Sequence, residues 1–188
     1  LSVDITYVNG NVATSCSTLV KVIVFRGTTA SGTQHSTHNV NAISGVATLS
    51  VNITQAGDYS LFASSTCETV VVSGVSSTFT VSPGVPTRIG FLTSPLFSDG
   101  SSVPFAVQPS LEARDRYENL CTNLVDSLRL NLTNSEAAGN ALDGTLVEPL
   151  VGGKAMFLDV STLKAGEFKI AADLVTSNTA PTAYFRVC

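Results

Sequence analysis

The strongest constraint on this chain is that it repeats itself. Moving 108 positions along takes Asn11-Val12-Ala13-Thr14 onto Asn119-Leu120-Cys121-Thr122, Val20-Lys21-Val22 onto Leu128-Arg129-Leu130, and Gly45-Val46-Ala47 onto Gly153-Lys154-Ala155. One residue further on, Ala56-Gly57-Asp58-Tyr59 matches Ala165-Gly166-Glu167-Phe168, and at a shift of 106 Phe79-Thr80-Val81 matches Phe185-Arg186-Val187. Blocks that recur in the same order with drift of only a few residues predict two copies of one structural unit. The copies meet at Ser82-Pro83-Gly84-Val85-Pro86, where two prolines remove backbone donors and fix φ, so a short, fairly stiff joint is expected. The expected domains are therefore 1–84 and 85–188.

The repeating unit reads as β structure. In Leu19–Phe25 and in Ser127–Leu132 every second residue is apolar, the pattern of a strand with one wet face. Further strands are expected at Val3–Val8, Ala47–Thr54, Asp58–Ala63, Thr69–Val75, Ser77–Val81, Arg88–Leu92, Pro104–Val107, Ser110–Arg116, Lys154–Val160, Glu167–Asp173 and Ala183–Val187. Short strands between Gly, Ser, Asn and Pro turns predict a sandwich or barrel. No helical periodicity runs through the chain, and Asn134–Asn140 reads as a loop. The fold class expected is all-β, as two tandem sandwiches.

Composition narrows the classes of function. Apolar residues make up 44% of the 188 and charged residues 13%, which excludes a disordered chain. A net charge of −4 leaves no surplus of cations for phosphates, so nucleic acid is not an expected partner. Mean hydropathy is +0.30, yet the apolar runs around Leu19–Phe25 and Val70–Val75 are far shorter than the roughly 18–20 residues of a spanning helix. No signal-peptide pattern opens the sequence, so a secreted protein is expected here as a mature form or an excised segment.

The copies differ in extent. Ahead of its Leu111–Arg116 strand the second copy has the stretch Val85–Ser110, expected to hold two strands, and nothing corresponding precedes Leu1. A sandwich without those strands leaves an edge and part of its core uncovered. Either the boundary falls inside a longer array, which the abrupt start of the match favours, or another segment supplies the strand by β-augmentation.

The residues that make up the second copy resemble a known family. Pro86-x-x-Ile89-x-Phe91, Asp115-x-x-x-Asn119-x-x-Thr122, Gly153-x-Ala155-x-Phe157, Ala165-Gly166-x-Phe168 and the closing Phe185-x-Val187 are similar to the filamin-type and bacterial Ig-like (invasin or intimin type) repeats. The resemblance covers nearly all of the second copy and the later part of the first. It implies two tandem Ig-like β-sandwiches, the first lacking its N-terminal strands, in a surface glycoprotein or adhesin with a structural or adhesive role. The first copy departs from the pattern with Tyr7 in the place of Asp115, so a ligand shared by the two positions is not implied.

Four cysteines allow three complete pairings, with four buried reduced thiols as the other reading. On the Ig-like reading, the turns carrying Cys16 and Cys67 crowd one end of the sandwich, which implies a Cys16–Cys67 bridge. Cys121 and Cys188 fall nearer opposite ends of the second copy, so Cys188 pairs either with Cys121 or outside this segment. Low charge and abundant Ser and Thr favour an oxidising, extracellular or cell-surface location. Asn52-Ile53-Thr54 and Asn131-Leu132-Thr133 are glycosylation sequons whose alternation points both asparagines away from the core. N-glycans there would help cover a first copy whose charges are Asp4, Lys21, Arg26, Asp58 and Glu68 alone.

Other chemistry is thinly represented. His35 and His38 stand in an apparent loop, Thr33–Asn39, with no Cys or carboxylate beside them to complete a zinc set. Asp115, Glu118 and Asn119 could offer oxygens to calcium but read as an Asx-type turn. No Gly-x-Ser-x-Gly elbow, phosphate-cradling glycine loop or Ser–His–acid set is legible, and no catalytic residue, metal or cofactor is assigned. The expectation is a non-enzymatic structural or adhesive segment that assembles with protein partners or further copies of itself. Two alternatives stay open: a recognition module that binds through loop residues such as Gln34–His38, and a cytoplasmic filamin-like crosslinker repeat with free thiols.

Overall fold

Strands form where the alternation is strongest. In the computed structural model, which describes all residues except 1, 5, 7–9, 97–101, 134–138, 165–167, 177–182 and 188, the chain divides into two compact units, Leu1–Ser82 and Pro83–Cys188. The division falls ahead of Pro83 because the Gly84 N–H is held by Asp115 of the second unit. No helix forms among the described residues, so none is long and apolar enough to cross a membrane.

The first unit contains β1 (Ser2–Asp4), β2 (Leu19–Arg26), β3 (Thr33–Asn41), β4 (Val46–Thr48), β5 (Gly57–Cys67), β6 (Val70–Val75) and β7 (Phe79–Val81). β1 pairs with β4 in one sheet; the other runs β3-β2-β5-β6, with β7 also on β5. Val20, Val22 and Val24 of β2 are fully buried, as alternation on a one-sided strand requires. Val20 and Val22 pack with Ala13, Cys16, Ala42 and Ala47.

The second unit contains β8 (Pro86–Thr93), β9 (Ser110–Asp115), β10 (Ser127–Thr133), β11 (Leu142–Asp143), β12 (Val147–Pro149), β13 (Lys154–Met156), β14 (Ser161–Thr162), β15 (Phe168–Leu174) and β16 (Ala183–Val187). Its sheets run β13-β9-β8 and β12-β10-β15-β16, with β11 paired to β14. Leu111 and Ala113 of the first sheet pack on Leu128, Leu130, Ile170 and Ala172 of the second, with Ile89, Phe105 and Phe157 closing the core. The fold is an all-β, Ig-like sandwich of antiparallel sheets.

Several ladders repeat with the sequence, though not that of the closing strand, where Tyr59↔Phe79 in the first unit answers to Phe168↔Val187 in the second. Adding 108 to each partner turns Val3↔Ala47 into Leu111↔Ala155 and Lys21↔Asn39 into Arg129↔Val147. The bridge Thr6↔Val12 becomes Arg114↔Leu120, and the turn bond from Cys16 N–H to Ala13 C=O becomes Leu124 to Cys121. Register errors in a strand flip every side chain to the wrong face, so this agreement extends the repeat from residue types to hydrogen bonds.

Several sequence boundaries are corrected. The strand expected over Ala47–Thr54 stops at Thr48, and Pro104–Val107 is irregular apart from a bridge from Val107 to Leu96. The Lys154–Val160 strand ends at Met156. The stretch read as a loop around His35 and His38 is β3, a nine-residue strand at the end of its sheet. Its polar sequence fits a strand with one ladder neighbour and little burial. Of Asn134–Asn140, residues 134–138 lie outside the described residues.

One tight turn fixes each copy. Ile43 and Val46 exchange two backbone hydrogen bonds across Ser44 and Gly45, at φ 50° and 80°. Val151 and Lys154 do the same across Gly152 and Gly153, at φ 57° and 80°. Two central residues with positive φ make the hairpin turn whose twist matches its strands. A Cβ at Gly45 would also lie 2.6 Å from the Ala13 carbonyl oxygen. We expect Gly45→Ala to destabilise the first unit by about 2 kcal/mol, read as a lowered urea midpoint with faster amide exchange in β2. Gly74→Ala, where a Cβ meets nothing within 4 Å, should leave that midpoint within about 0.5 kcal/mol.

Candidate functional site

Cys16 sits in the turn that follows Ala13, and Cys67 ends β5, just before Glu68 turns the chain at φ 56°. A disulfide joins them, with Cα atoms 5.7 Å apart and the two residues 51 positions apart in sequence. Such bonds form and persist in oxidising environments. Beside it the Thr18 hydroxyl donates to the Thr66 carbonyl at 2.9 Å, closing the same end of the unit.

Cys121 is a free, buried thiol. Its Sγ faces the carbonyls of Gly84 at 3.6 Å and Asn119 at 3.9 Å. Burial first, and then the nearby Asp115 carboxylate, push the thiol's pKa up, the reverse of what a reactive cysteine needs. Cys188 lies outside the described residues.

The Asp115 carboxylate organises the start of the second unit. Its Oδ1 accepts from the N–H groups of Tyr117 at 2.8 Å and Asn119 at 3.0 Å. Its Oδ2 accepts from Gly84 N–H and Asn119 Nδ2, both at 2.9 Å. Burial pushes the carboxyl up, but these bonds, led by the Asn119 side chain and followed by the Gly84, Asn119 and Tyr117 amides, bring it down to about 2. A carboxylate has about four lone-pair sites, and four N–H groups already occupy them. Glu118 turns away to pair with Arg88. The group thus ties the 83–84 stretch to β9 rather than presenting oxygens to calcium.

The two histidines make separate contacts, and the ladder of β3 against β2 passes from Ser36 opposite Val24 to Gln34 opposite Phe25, which leaves His35 bulged out of the simple alternation. The His35 ring meets Tyr59 edge-on at 5.5 Å between centroids, while His38 Nε2 lies 2.9 Å from the Ser36 hydroxyl. Among the described residues no three His, Cys, Asp or Glu side chains gather as a metal set. The sequons also differ. Asn52 is exposed in the irregular stretch after β4. Asn131 is half-buried in β10, and its Nδ2, the atom a glycan would need, donates to Asp173 Oδ1 at 2.6 Å while Arg129 holds Oδ2 at 2.8 Å.

A feature not anticipated residue by residue is a cleft of about 500 Å³ in the first unit. Its floor is Val20, Val22, Leu61 and Ala63; Val72–Ser76 form one wall and Asp4 and Thr6 stand on the other. The signal was present in the repeat. Leu61 and Ala63 correspond, 109 positions on, to Ile170 and Ala172, which are fully buried, whereas Leu61 and Ala63 are half-buried.

No family model matches the chain, and no curated protein matches it. Some solved structures are similar over most of its length. They include Bacteroides uniformis beta-glucuronidase 3 (TM-score 0.40, 16% identity, covering 92% of this chain and 21% of that one). A glycosyl hydrolase family 2 member from Bacteroides cellulosilyticus gives a TM-score of 0.44 at 12% identity, over 92% of this chain and 24% of that one. Parabacteroides merdae beta-glucuronidase with glycerol in its active site gives 0.39 at 12% identity, over 91% and 21%. The chain thus spans less than a quarter of the length of each of these three proteins.

Two outcomes follow from the site chemistry. The folded pKa of Asp115 lies below its ordinary value, so its contribution to stability is present above pH 4 or so and is lost as pH falls towards about 2. Asp115→Asn places an NH2 among N–H donors and should cost the second unit about 2 kcal/mol. It should also flatten the unit's acid limb in denaturation followed from pH 5 to roughly pH 2. Reducing Cys16–Cys67 should cost the first unit up to about 4 kcal/mol on the chain-entropy account, seen as a drop in its melting temperature with dithiothreitol while amide exchange in β10 and β15 holds.

Proposed function

We propose that the chain is a non-enzymatic structural or adhesive segment of an extracellular or cell-surface multi-repeat protein of the filamin or bacterial Ig-like kind, assembling with protein partners or further copies of itself. The observation that carries this reading is the recurrence of one sandwich blueprint down to its hydrogen-bond register, as expected of a chain built as an array of modules. The Cys16–Cys67 bond supports an oxidising location outside the cytoplasm. Asn52, exposed in irregular backbone, is the better placed of the two N-glycan acceptors.

The contact surface proposed is the charge-poor first unit. Ile43 at the hairpin tip and Val71 on the outer face of β6 are 76% and 74% exposed, and aliphatic side chains in water favour association. β3 supports a second reading, recognition of one partner: it ends its sheet and carries the polar run Gln34–His38, and an edge strand can take an added strand.

Light scattering across a concentration series tests the assembly. The expected result is self-association weakened at least about fivefold by Ile43→Asp together with Val71→Lys and unchanged by substitutions in Gln34–His38. A protein that stays monomeric at high concentration, carries no glycan and binds a partner lost on mutating Gln34–His38 would favour the recognition reading instead.

A further inference from the structure

We propose that the outer face of the first unit's larger sheet, on β2, β5 and β6, is where a second copy of the chain docks, face to face about a two-fold axis, with Lys21 of each copy against Asp58 of the other. This rests on the reading of the chain as one that assembles with copies of itself, and it names the surface used. The second unit supplies the comparison, because the same ladder positions there carry a self-contained polar face. Arg129↔Asp173, Asn131↔Ala171 and Thr133↔Lys169 lie side by side, and the Asp173 carboxylate takes both Arg129 at 2.8 Å and Asn131 at 2.6 Å.

In the first unit these three pairs become Lys21↔Ser64, Ile23↔Phe62 and Phe25↔Ser60. One aliphatic chain and two rings stand where polar groups satisfied one another. Val75, opposite Phe62 and 62% exposed, extends the apolar row onto β6. Ala47 of β4 packs on Val20 and Val22, so Lys21, Ile23 and Phe25, which alternate with those valines, face away from β1 and β4. An apolar row in water on that side favours association.

The charges decide what covers the face. Lys21 faces Ser64 where Arg129 has Asp173, and among the described residues it has no ion pair. The carboxylate on the same side of β5 is Asp58, exposed and held at Oδ1 by the Thr80 hydroxyl at 2.6 Å. It lies six positions along the strand from Ser64, about 20 Å at roughly 3.3 Å per residue, which is too far for Lys21 to reach within one copy. Ile23, Phe25 and Phe62 stand between the two charges. A two-fold axis running across the strands at that apolar centre carries the Lys21 end of one copy onto the Asp58 end of the other. Both ion pairs then form at once while Ile23 and the two rings close between the sheets, at the usual sheet-packing distance of about 10 Å. An unrelated partner would have to present the same charges in reversed order around an apolar centre, and a second copy already does. Three strands by about 25 Å give a footprint of roughly 350 Å² per copy, the size of a weak contact.

Sedimentation velocity on the full chain, over a series reaching millimolar concentration, tests this. Lys21→Glu and Asp58→Lys each set like charges across both contacts and should weaken self-association about tenfold. An equimolar mixture of the two variants restores opposite charges at both contacts and should associate within about threefold of the unsubstituted chain. Ile23→Asn together with Phe62→Ala, the residue types that the second unit has at those positions, should abolish association while backbone amide exchange in β2 stays slow. Self-association that the Ile23 and Phe62 pair leaves unchanged overturns the proposal, and so do charge variants that keep slow exchange in β2 but fail to rescue each other. Either result leaves the assembly reading standing, whereas an unsubstituted chain that is monomeric throughout overturns both.

Discussion

A sheet with an apolar face has to be covered, and that need shapes both halves of this chain. In the second unit the inner face of β10 and β15 is roofed by β9, β13 and β8 and by Phe105 and Phe157 from the irregular segments. The first unit has smaller residues on the same positions. Val20 and Val22 stand for Leu128 and Leu130, and Ser65 stands for Leu174. Each missing methylene removes about 0.8 kcal/mol of burial, so the first core is weaker on composition alone, before its open flank is considered.

Covalent closure offsets part of that difference. Cys16 occupies the place of Leu124, which packs against the second core, and Thr18 occupies the place of Asp126. In the second unit Asp126 Oδ1 accepts from Ser127 N–H at 2.7 Å and Thr176 N–H at 3.1 Å, pinning the end of β15 to the start of β10. In the first unit a disulfide and the Thr18 hydroxyl do so. One junction is thus secured by two different chemistries. A small core gains more from a bond that restricts the unfolded chain.

Legibility followed burial. The strands with clear alternation, such as Leu19–Arg26 and Ser127–Thr133, could be read because the core enforces period two on them. β3 carries no alternation to read because Thr33–Asn41 buries little and Val40 is its one apolar residue packed against the core. Where Gly144 (φ 98°) stands between β11 and β12, a Cβ would lie 2.4 Å from the Asp159 carbonyl oxygen. That close approach breaks the strand of the second copy, and no periodicity encodes it. Asp115 was legible as an Asx-type turn, but its grip on Gly84, a residue 31 positions away, is a tertiary contact that a local motif does not contain. The cleft could be foreseen as a missing strand, though not the residues that line it.

The drift between copies begins after β4. Up to Thr48 and Met156 the ladder pairs that the two units share differ by 108, and on β5 and β15 the numbering differs by 109. The extra residue therefore lies in the irregular connection between them, where it rotates no strand. A hybrid that ran from Leu1 to Thr48 and continued at Phe157 would keep β2 in register with β15, as Val20↔Ser65 and Leu128↔Leu174 correspond. This crossover is a natural seam for exchanging parts between the two units.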